Sequence, residues 1–312
     1  MVLVNQTQVT EFMLLGFRNH SILTVVLFVL FLLIYILTLV WNLMIIILVA
    51  KVQSLKSPMY FFLAQLSLSD ILLTTNIAPN TLHVVINEGS TISVTECISQ
   101  LYFHGVSTVS ECFLLSVMSY DRYLAICRPL HYTSIMDLRL QLQLVSFCWL
   151  SALLITLPIV FLMYNLQFCG PHIIDHYFCD LEPMLELSCS DATIVKLVDV
   201  ALGAPFLLLP FFFILFTYVY IFIAIIGISS TIGRQKAFST CSSHLIVVIM
   251  YYGTLIMIYL VPSNGQTPNH NKVISLLYTM GTSFLNPIIY SLRNQDIKNN
   301  LLKYITNTFK KN

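Results

Sequence analysis

The sequence predicts an all-α membrane protein, a seven-transmembrane helix bundle followed by a short amphipathic C-terminal helix. Three observations carry that expectation. Of 312 residues, 57% are hydrophobic and 9% charged, and the apolar residues gather in runs longer than a soluble core helix needs. The runs number seven, which puts the two termini on opposite sides of a bilayer. The basic residues between the runs then fall almost entirely on one side.

The first run covers about Leu23 to Ala50. No short apolar core with a cleavage site precedes it, so the amino terminus is expected to be exported uncleaved. Six further spans follow at roughly Pro58 to Pro79, Glu96 to Tyr123, Leu140 to Met163, Leu197 to Ile226, Ala237 to Val261 and Lys272 to Leu292. All belong to one domain: an extracellular amino terminus (1–22), the bundle (23–292) and a cytoplasmic tail (293–312). With the amino terminus outside, Lys51, Lys56, Arg122, Arg128, Arg139, Arg234, Lys236, Arg293, Lys298, Lys303, Lys310 and Lys311 lie at or near the cytosolic face. Only Arg18, Lys196 and Lys272 remain outside, so charge asymmetry, not the net charge of +1, carries the topological signal. A multi-pass membrane protein follows, expected in the plasma membrane, with the lipid bilayer as one partner and no nucleic acid. The tail alternates lysines with Ile297, Leu301, Leu302, Tyr304, Ile305 and Phe309, the pattern of a helix lying on a membrane surface.

The outer side agrees with this topology. Asn5-Gln6-Thr7 is a glycosylation acceptor, with Asn19-His20-Ser21 a second candidate near the membrane. Cys97, Cys169, Cys179 and Cys189 also fall outside, where disulfides form. Four cysteines allow three pairings, and spacing alone does not choose among them. Cys112, Cys127, Cys148 and Cys241 sit in spans or on the cytosolic side, as free packing residues. His172 and His176 have the i, i+4 spacing of a helical zinc pair, close to Cys179 and Asp180.

Polar residues inside the spans carry the functional reading. Cys97 and Arg122 are 25 residues apart, roughly 38 Å at about 1.5 Å per residue, so the third span crosses the hydrocarbon between them. Asp121 and Arg122 then meet at the cytosolic boundary, where the acid neutralises the base while water remains close. Asn42, Asp70, Glu111 and Asn286 lie at mid-depth, where polar groups are costly unless they face each other or water. One carboxyl bonded through its proton to the other would satisfy that demand. No intramembrane nucleophile with a base, no His-Glu-x-x-His motif, no repeated halves and no ring of charges is present, which argues against an enzyme, a transporter or a channel.

Met118 to Tyr132 reads MSYDRYLAICRPLHY. It resembles the signature of the rhodopsin-like (class A) G protein-coupled receptors, and specifically the olfactory receptors. The resemblance recurs in PMYFFL (58–63), LSLSD (66–70), HYFCD (176–180), KAFSTCSSHL (236–245) and NPIIYSLRN (286–294). PMYFFL, KAFSTCSSHL and the long three-cysteine loop separate the olfactory group from the alternative, a non-olfactory class A receptor. The resemblance implies an odorant receptor, not an enzyme, that binds a small, mostly apolar volatile molecule and activates a heterotrimeric G protein of the stimulatory olfactory type, raising cyclic AMP. It pairs Cys97 with Cys179 and Cys169 with Cys189, which would remove the thiolate from any metal site.

By the same resemblance, Asp121 restrains Arg122 at rest, with Tyr123 completing the motif. Lys236 to His244 forms the second half of the switch, Tyr218 and Tyr290 stabilise the open form, and Asn286-Pro287 belongs to the last span. Asp70 and Glu111 would hold a sodium ion in the inactive state; no other cofactor is implied. His104, Thr108 and Glu111 share one helix face by their i, i+4, i+7 spacing, and the resemblance turns that face inward. Gly105, Leu202, Phe206, Tyr252, Ile256, Tyr259 and Tyr278 complete the expected ligand lining. Two positions depart from the family pattern. Trp41 precedes Asn42 where a glycine is usual, and GTSFLNP (281–287) lacks a customary proline, which predicts a straighter helix above Asn286.

Overall fold

The computed structural model describes residues 9–17, 21–169, 172–260, 268–293 and 297–300. Its helices are α1 (Ser21–Lys51), α2 (Pro58–Ile86), α3 (Val94–Cys127), one-turn α4 (Tyr132–Ile135), α5 (Leu138–Tyr164), α6 (Leu181–Glu186), α7 (Thr193–Ile226), α8 (Thr231–Leu260), α9 (Pro268–Leu276) and α10 (Thr282–Arg293). Seven spans among the described residues are long and apolar enough to cross a membrane. They are α1, α2, α3, α5, α7, α8 and the combined run through α9 and α10. Asn5, Asn19 and the tail beyond residue 300 lie outside the described residues.

Local chemistry sets the ends. At the start of α3, Ser93 Oγ accepts from the Glu96 N–H (3.2 Å) and Glu96 Oε2 accepts from the Ser93 N–H (3.1 Å), a reciprocal cap. Asp137 caps α5 in the same sense through the Leu140 N–H. Pro79 does not end α2, which continues to Ile86; prolines persist in membrane helices where neighbouring groups satisfy the freed backbone.

α3 is the axis of the bundle. Two-thirds (67%) of its most apolar stretch is buried, against 17% for α1 and for α5, and it packs on α2, α5, α7 and α8. The largest apolar cluster gathers Leu66, Leu114, Met118, Val248 and Tyr290 around it. Trp41 is half-buried at the edge of that cluster, so the bulky ring is accommodated beside the core.

A small sheet closes the end of the bundle that carries Cys97. Strand β1 (Glu11–Leu14) pairs antiparallel with β2 (Ser90–Ser93) and parallel with β3 (Ile173–Ile174). Phe12 and Leu14 point inward with no exposed surface. Gly16 turns the chain at φ +59°, and a Cβ there would stand 2.6 Å from Val84 Cγ1, so the segment fits only as glycine. Cys97 is bonded to Cys179 and Cys169 to Cys189, with Cα atoms 5.4 and 5.8 Å apart.

One spacing proves not to be helical, and one expectation is corrected. His172 has φ +42° and is followed by an extended pair, so His172 and His176 do not share a helix face as a zinc pair would. The seventh span is not a plain helix above Asn286: a π turn, Leu277–Gly281, interrupts it despite the missing proline, and such turns are an independent source of irregularity.

Gly105 of α3 faces α5, where an added Cβ would lie 2.8 Å from Thr156 Cγ2. Gly105→Val is therefore expected to destabilise the bundle by about 1–3 kcal/mol, read as a lowered Tm in detergent, with Thr156→Ala restoring most of the loss. A Gly105→Val protein that melts like the parent would contradict this packing.

Candidate functional site

Polar side chains on α3 form three tiers. In the tier nearest the sheet, His104 Nε2 lies 2.7 Å from Tyr278 Oη, and the same hydroxyl lies 2.7 Å from Thr108 Oγ1. Thr108 Oγ1 donates to the His104 carbonyl (2.9 Å), and Tyr251 donates to the Thr108 carbonyl (2.7 Å). The His104 ring meets Phe178 edge-on, with centroids 5.3 Å apart. One turn below, Tyr252 Oη is 3.2 Å from Cys112 Sγ and its ring packs on Phe211. Leu202 and Phe206 of α7 are half-buried, Phe206 packing against Phe113.

The structure thus brings His104, Thr108, Tyr252 and Tyr278 together and adds Tyr251 and Phe178. Two expected lining residues lie elsewhere. Gly105 lies at the α3–α5 contact, where only a glycine allows that approach. Ile256 is 45% exposed and lies two turns from Ile249, which is 61% exposed, so it shares the outward face of α8. The side chain of Tyr259 lies outside the described residues.

Above this tier, the sheet is latched to the bundle. Lys272 is buried, with Nζ 2.6 Å from Asp175 Oδ1 and 2.9 Å from the Gly16 carbonyl. Sequence reasoning assigned it only an outer-side charge. Phe17 stacks on Tyr177, whose hydroxyl is 3.2 Å from Thr279 Oγ1. Gln100 accepts from the Cys179 N–H (2.8 Å) and donates to the Asn76 carbonyl (3.0 Å), fastening the disulfide to α2 and α3.

The middle tier assembles the four predicted polar residues. Asn286 Nδ2 donates to both oxygens of Asp70, at 3.1 and 3.3 Å. Asn42 Nδ2 donates to the Ser283 and Thr38 carbonyls. Asp70 and Glu111 are both buried, while Glu111 Oε1 and Asn42 Oδ1 lack any hydrogen-bond partner. Two buried carboxyls in one tier call for a proton or a cation to neutralise them. An all-oxygen donor set with an unpartnered carboxylate oxygen fits a hard cation such as sodium.

The third tier lies at the opposite end of α3. Asp121 Oδ2 accepts from Arg122 Nε (3.0 Å) and Nη2, and Asp121 Oδ1 accepts from the Tyr132 hydroxyl (2.8 Å). Asp121 has no exposed surface and the Arg122 side chain is 12% exposed. The expected water-lapped boundary pair is instead a buried one, and Tyr132 takes the place of water. That tyrosine stood inside the quoted motif, so the signal was present without a role attached.

On α8, His244 Nε2 is 3.1 Å from the Leu115 carbonyl and Nδ1 is 2.7 Å from Tyr218 Oη. A carbonyl only accepts, so Nε2 carries the proton and Nδ1 accepts from Tyr218. One histidine therefore joins α3, α7 and α8. Tyr123 packs edge-on to Tyr220, and Pro287 is buried within α10. Tyr290 is wholly buried with its hydroxyl unpaired. Lys236 belongs to α8, but its side chain lies outside the described residues.

A family model described as olfactory receptor matches residues 31–308. Olfactory receptor 10A7 of Homo sapiens is 44% identical over 306 residues, covering 98% of this chain and 97% of that receptor. Olfactory receptor 2G3 of Homo sapiens is 45% identical over 306 residues, covering 98% and 99% respectively. Olfactory receptor 1M1 of Mus musculus is 45% identical over 301 residues, covering 96% of each chain.

The cap predicts an acid response. Burial pushes His176 down to about 4, with Asp180 and Asp175 opposing that shift and Lys272 and His104 reinforcing it. An unfolded imidazole takes its proton near pH 6.5, so between those values the unfolded chain binds a proton that the folded cap does not. Stability should therefore fall as pH drops from about 6.5 towards 4, seen as a lower Tm at pH 5 than at pH 7. His176→Phe is expected to flatten this dependence; an unchanged slope in that variant would assign the acid response elsewhere.

Proposed function

Because the chain belongs to the olfactory receptor family, we propose that it is an odorant receptor that takes a small, mostly apolar molecule beside His104 and Tyr278 and activates a stimulatory olfactory-type G protein, raising cyclic AMP. It is a multi-pass membrane receptor and not an enzyme. The sheet end faces outward from the plasma membrane and the Arg122 end faces the cytosol. Aromatic walls with few polar groups suit an apolar volatile.

One observation carries this reading: Asp121 is shared between Arg122 and Tyr132 at one end of α3, while His104 stands on the other half of the same helix. The Asp121 contacts are a restraint with two settings. In the resting setting Arg122 is neutralised and Tyr218 is tied to His244. In the other, α8 moves away, Arg122 faces the G protein, and Tyr218 and the unpaired Tyr290 hydroxyl gain new partners. Asp70 and Glu111, with Asn286, would hold a sodium ion that neutralises the two carboxyls in the resting setting.

Cyclic AMP measured with an olfactory-type G protein tests this. A hydrogen bond to a charged group contributes about 1.5–3 kcal/mol net, so Tyr132→Phe should raise basal signalling about ten-fold or more relative to the parent at equal surface level. Arg122→Ala should abolish the odorant-evoked response. Unchanged basal signalling in Tyr132→Phe, or a retained response in Arg122→Ala, would contradict the switch.

A further inference from the structure

The hydrogen-bond chain around His104 has a direction. Thr108 carries one hydroxyl hydrogen, and Oγ1 lies 2.9 Å from the His104 carbonyl one turn earlier, which can only accept. With that hydrogen held on the carbonyl and not turned to Tyr278, the 2.7 Å contact between Thr108 Oγ1 and Tyr278 Oη is made by Tyr278 donating. The Tyr278 oxygen then accepts across its 2.7 Å contact with His104 Nε2. In this arrangement Nε2 carries the imidazole proton and Nδ1 is left as a bare lone pair, whereas the reversed chain would put the proton on Nδ1.

We infer that this chain fixes the ligand class: the site takes molecules that donate a hydrogen bond to His104 Nδ1, namely alcohols and phenols, in preference to ethers, aldehydes and ketones of the same shape. The inference rests on the receptor reading above and deepens it. Among the described residues His104 Nδ1 makes no hydrogen bond, and the residue as a whole is 8% exposed. The nearby hydroxyls are already engaged. Tyr251 donates to the Thr108 carbonyl, and Tyr252 lies against Cys112 Sγ. The charge acting on His104 is that of Asp180, whose Oδ1 caps α6 through the Leu181 N–H. A carboxylate is again an acceptor without a hydrogen to give. His104 Nδ1 thus offers a lone pair, and an acceptor-only ligand there would bury its oxygen opposite another acceptor.

The test has two arms. In [15N]histidine-labelled receptor, with the His104 signals assigned by their loss in His104→Gln, the Nε2-protonated form is expected; an Nδ1-protonated ring overturns the proposal. In cells, primary alcohols are compared with their methyl ethers and the matching aldehydes by cyclic AMP. The alcohols should be at least ten-fold more potent, about 1.4 kcal/mol. Tyr278→Phe leaves Nε2 without its acceptor and frees both tautomers, so the preference should shrink to within about three-fold at equal surface level. Equal potency of alcohol and ether in the parent, or an undiminished preference in Tyr278→Phe, overturns the proposal. Silence towards every member of every pair, at confirmed surface expression, overturns the receptor reading instead, and the labelled histidine still decides the tautomer.

Discussion

A polar group inside a hydrocarbon-facing bundle must find a partner there, because water is not available to supply one. α3 concentrates that demand. His104, Ser107, Ser110, Glu111, Ser119 and Asp121 are all buried along it, and each neighbouring helix is fixed by what it offers in return. α2 offers Ser69 to Ser110 and the Asn76 backbone to Gln100. α8 offers His244 to the Leu115 carbonyl and Tyr251 to the Thr108 carbonyl. The π turn of the seventh span offers Tyr278 to His104. Apolar packing fills the space between, but it is the polar seam that sets the register of one helix against the next, since Leu, Val and Phe pack nearly as well in several phases.

That seam also makes the bundle a transmitter. The His104 tier and the Asp121 tier stand on one helix, so a ligand that alters contacts at the first acts on an element whose far end holds Arg122. Coupling of this kind requires two settings with different contacts. In the proposed resting one, Asp121 serves both Arg122 and Tyr132, and His244 bridges α3, α7 and α8. The Tyr290 hydroxyl, buried and unpaired in this setting, is the kind of unmet demand that a second setting can satisfy.

Much of this was legible in the sequence, for a physical reason. Hydropathy over a span averages many residues, so all seven spans emerged, although α2 runs two turns past the expected end at Pro79 and α8 begins at Thr231, before the expected Ala237. Single polar residues in those spans stand out against an apolar background, so Asn42, Asp70, Glu111 and Asn286 could be chosen by depth, whereas Asp121 took its role from the resemblance of its motif. Helical phase was harder. Gly105 and Ile256 were assigned to the lining, yet one faces Thr156 and the other shares the outward face of Ile249, because an apolar helix surface gives little periodicity from which to choose a side. The sheet was not legible at all. Its four-residue β1 pairs with segments roughly 80 and 160 residues away, and such short strands lack a local signal of their own. Lys272 misled for a related reason: a lysine at a span end normally snorkels to water, and only the fold supplies Asp175 and the Gly16 carbonyl to bury it.

The most direct test of a restraint at Asp121 is the distance between α3 and α8 at the Arg122 end. Spin labels at positions 128 and 235, in a Cys127→Ser background, would report it by pulsed electron paramagnetic resonance without ligand. Compared with the parent, Asp121→Asn is predicted to add a population at longer distance, as α8 moves away once Arg122 is released. An identical distance distribution in parent and variant would mean that Asp121 does not hold the helices together, and the restraint would have to lie elsewhere in the seam.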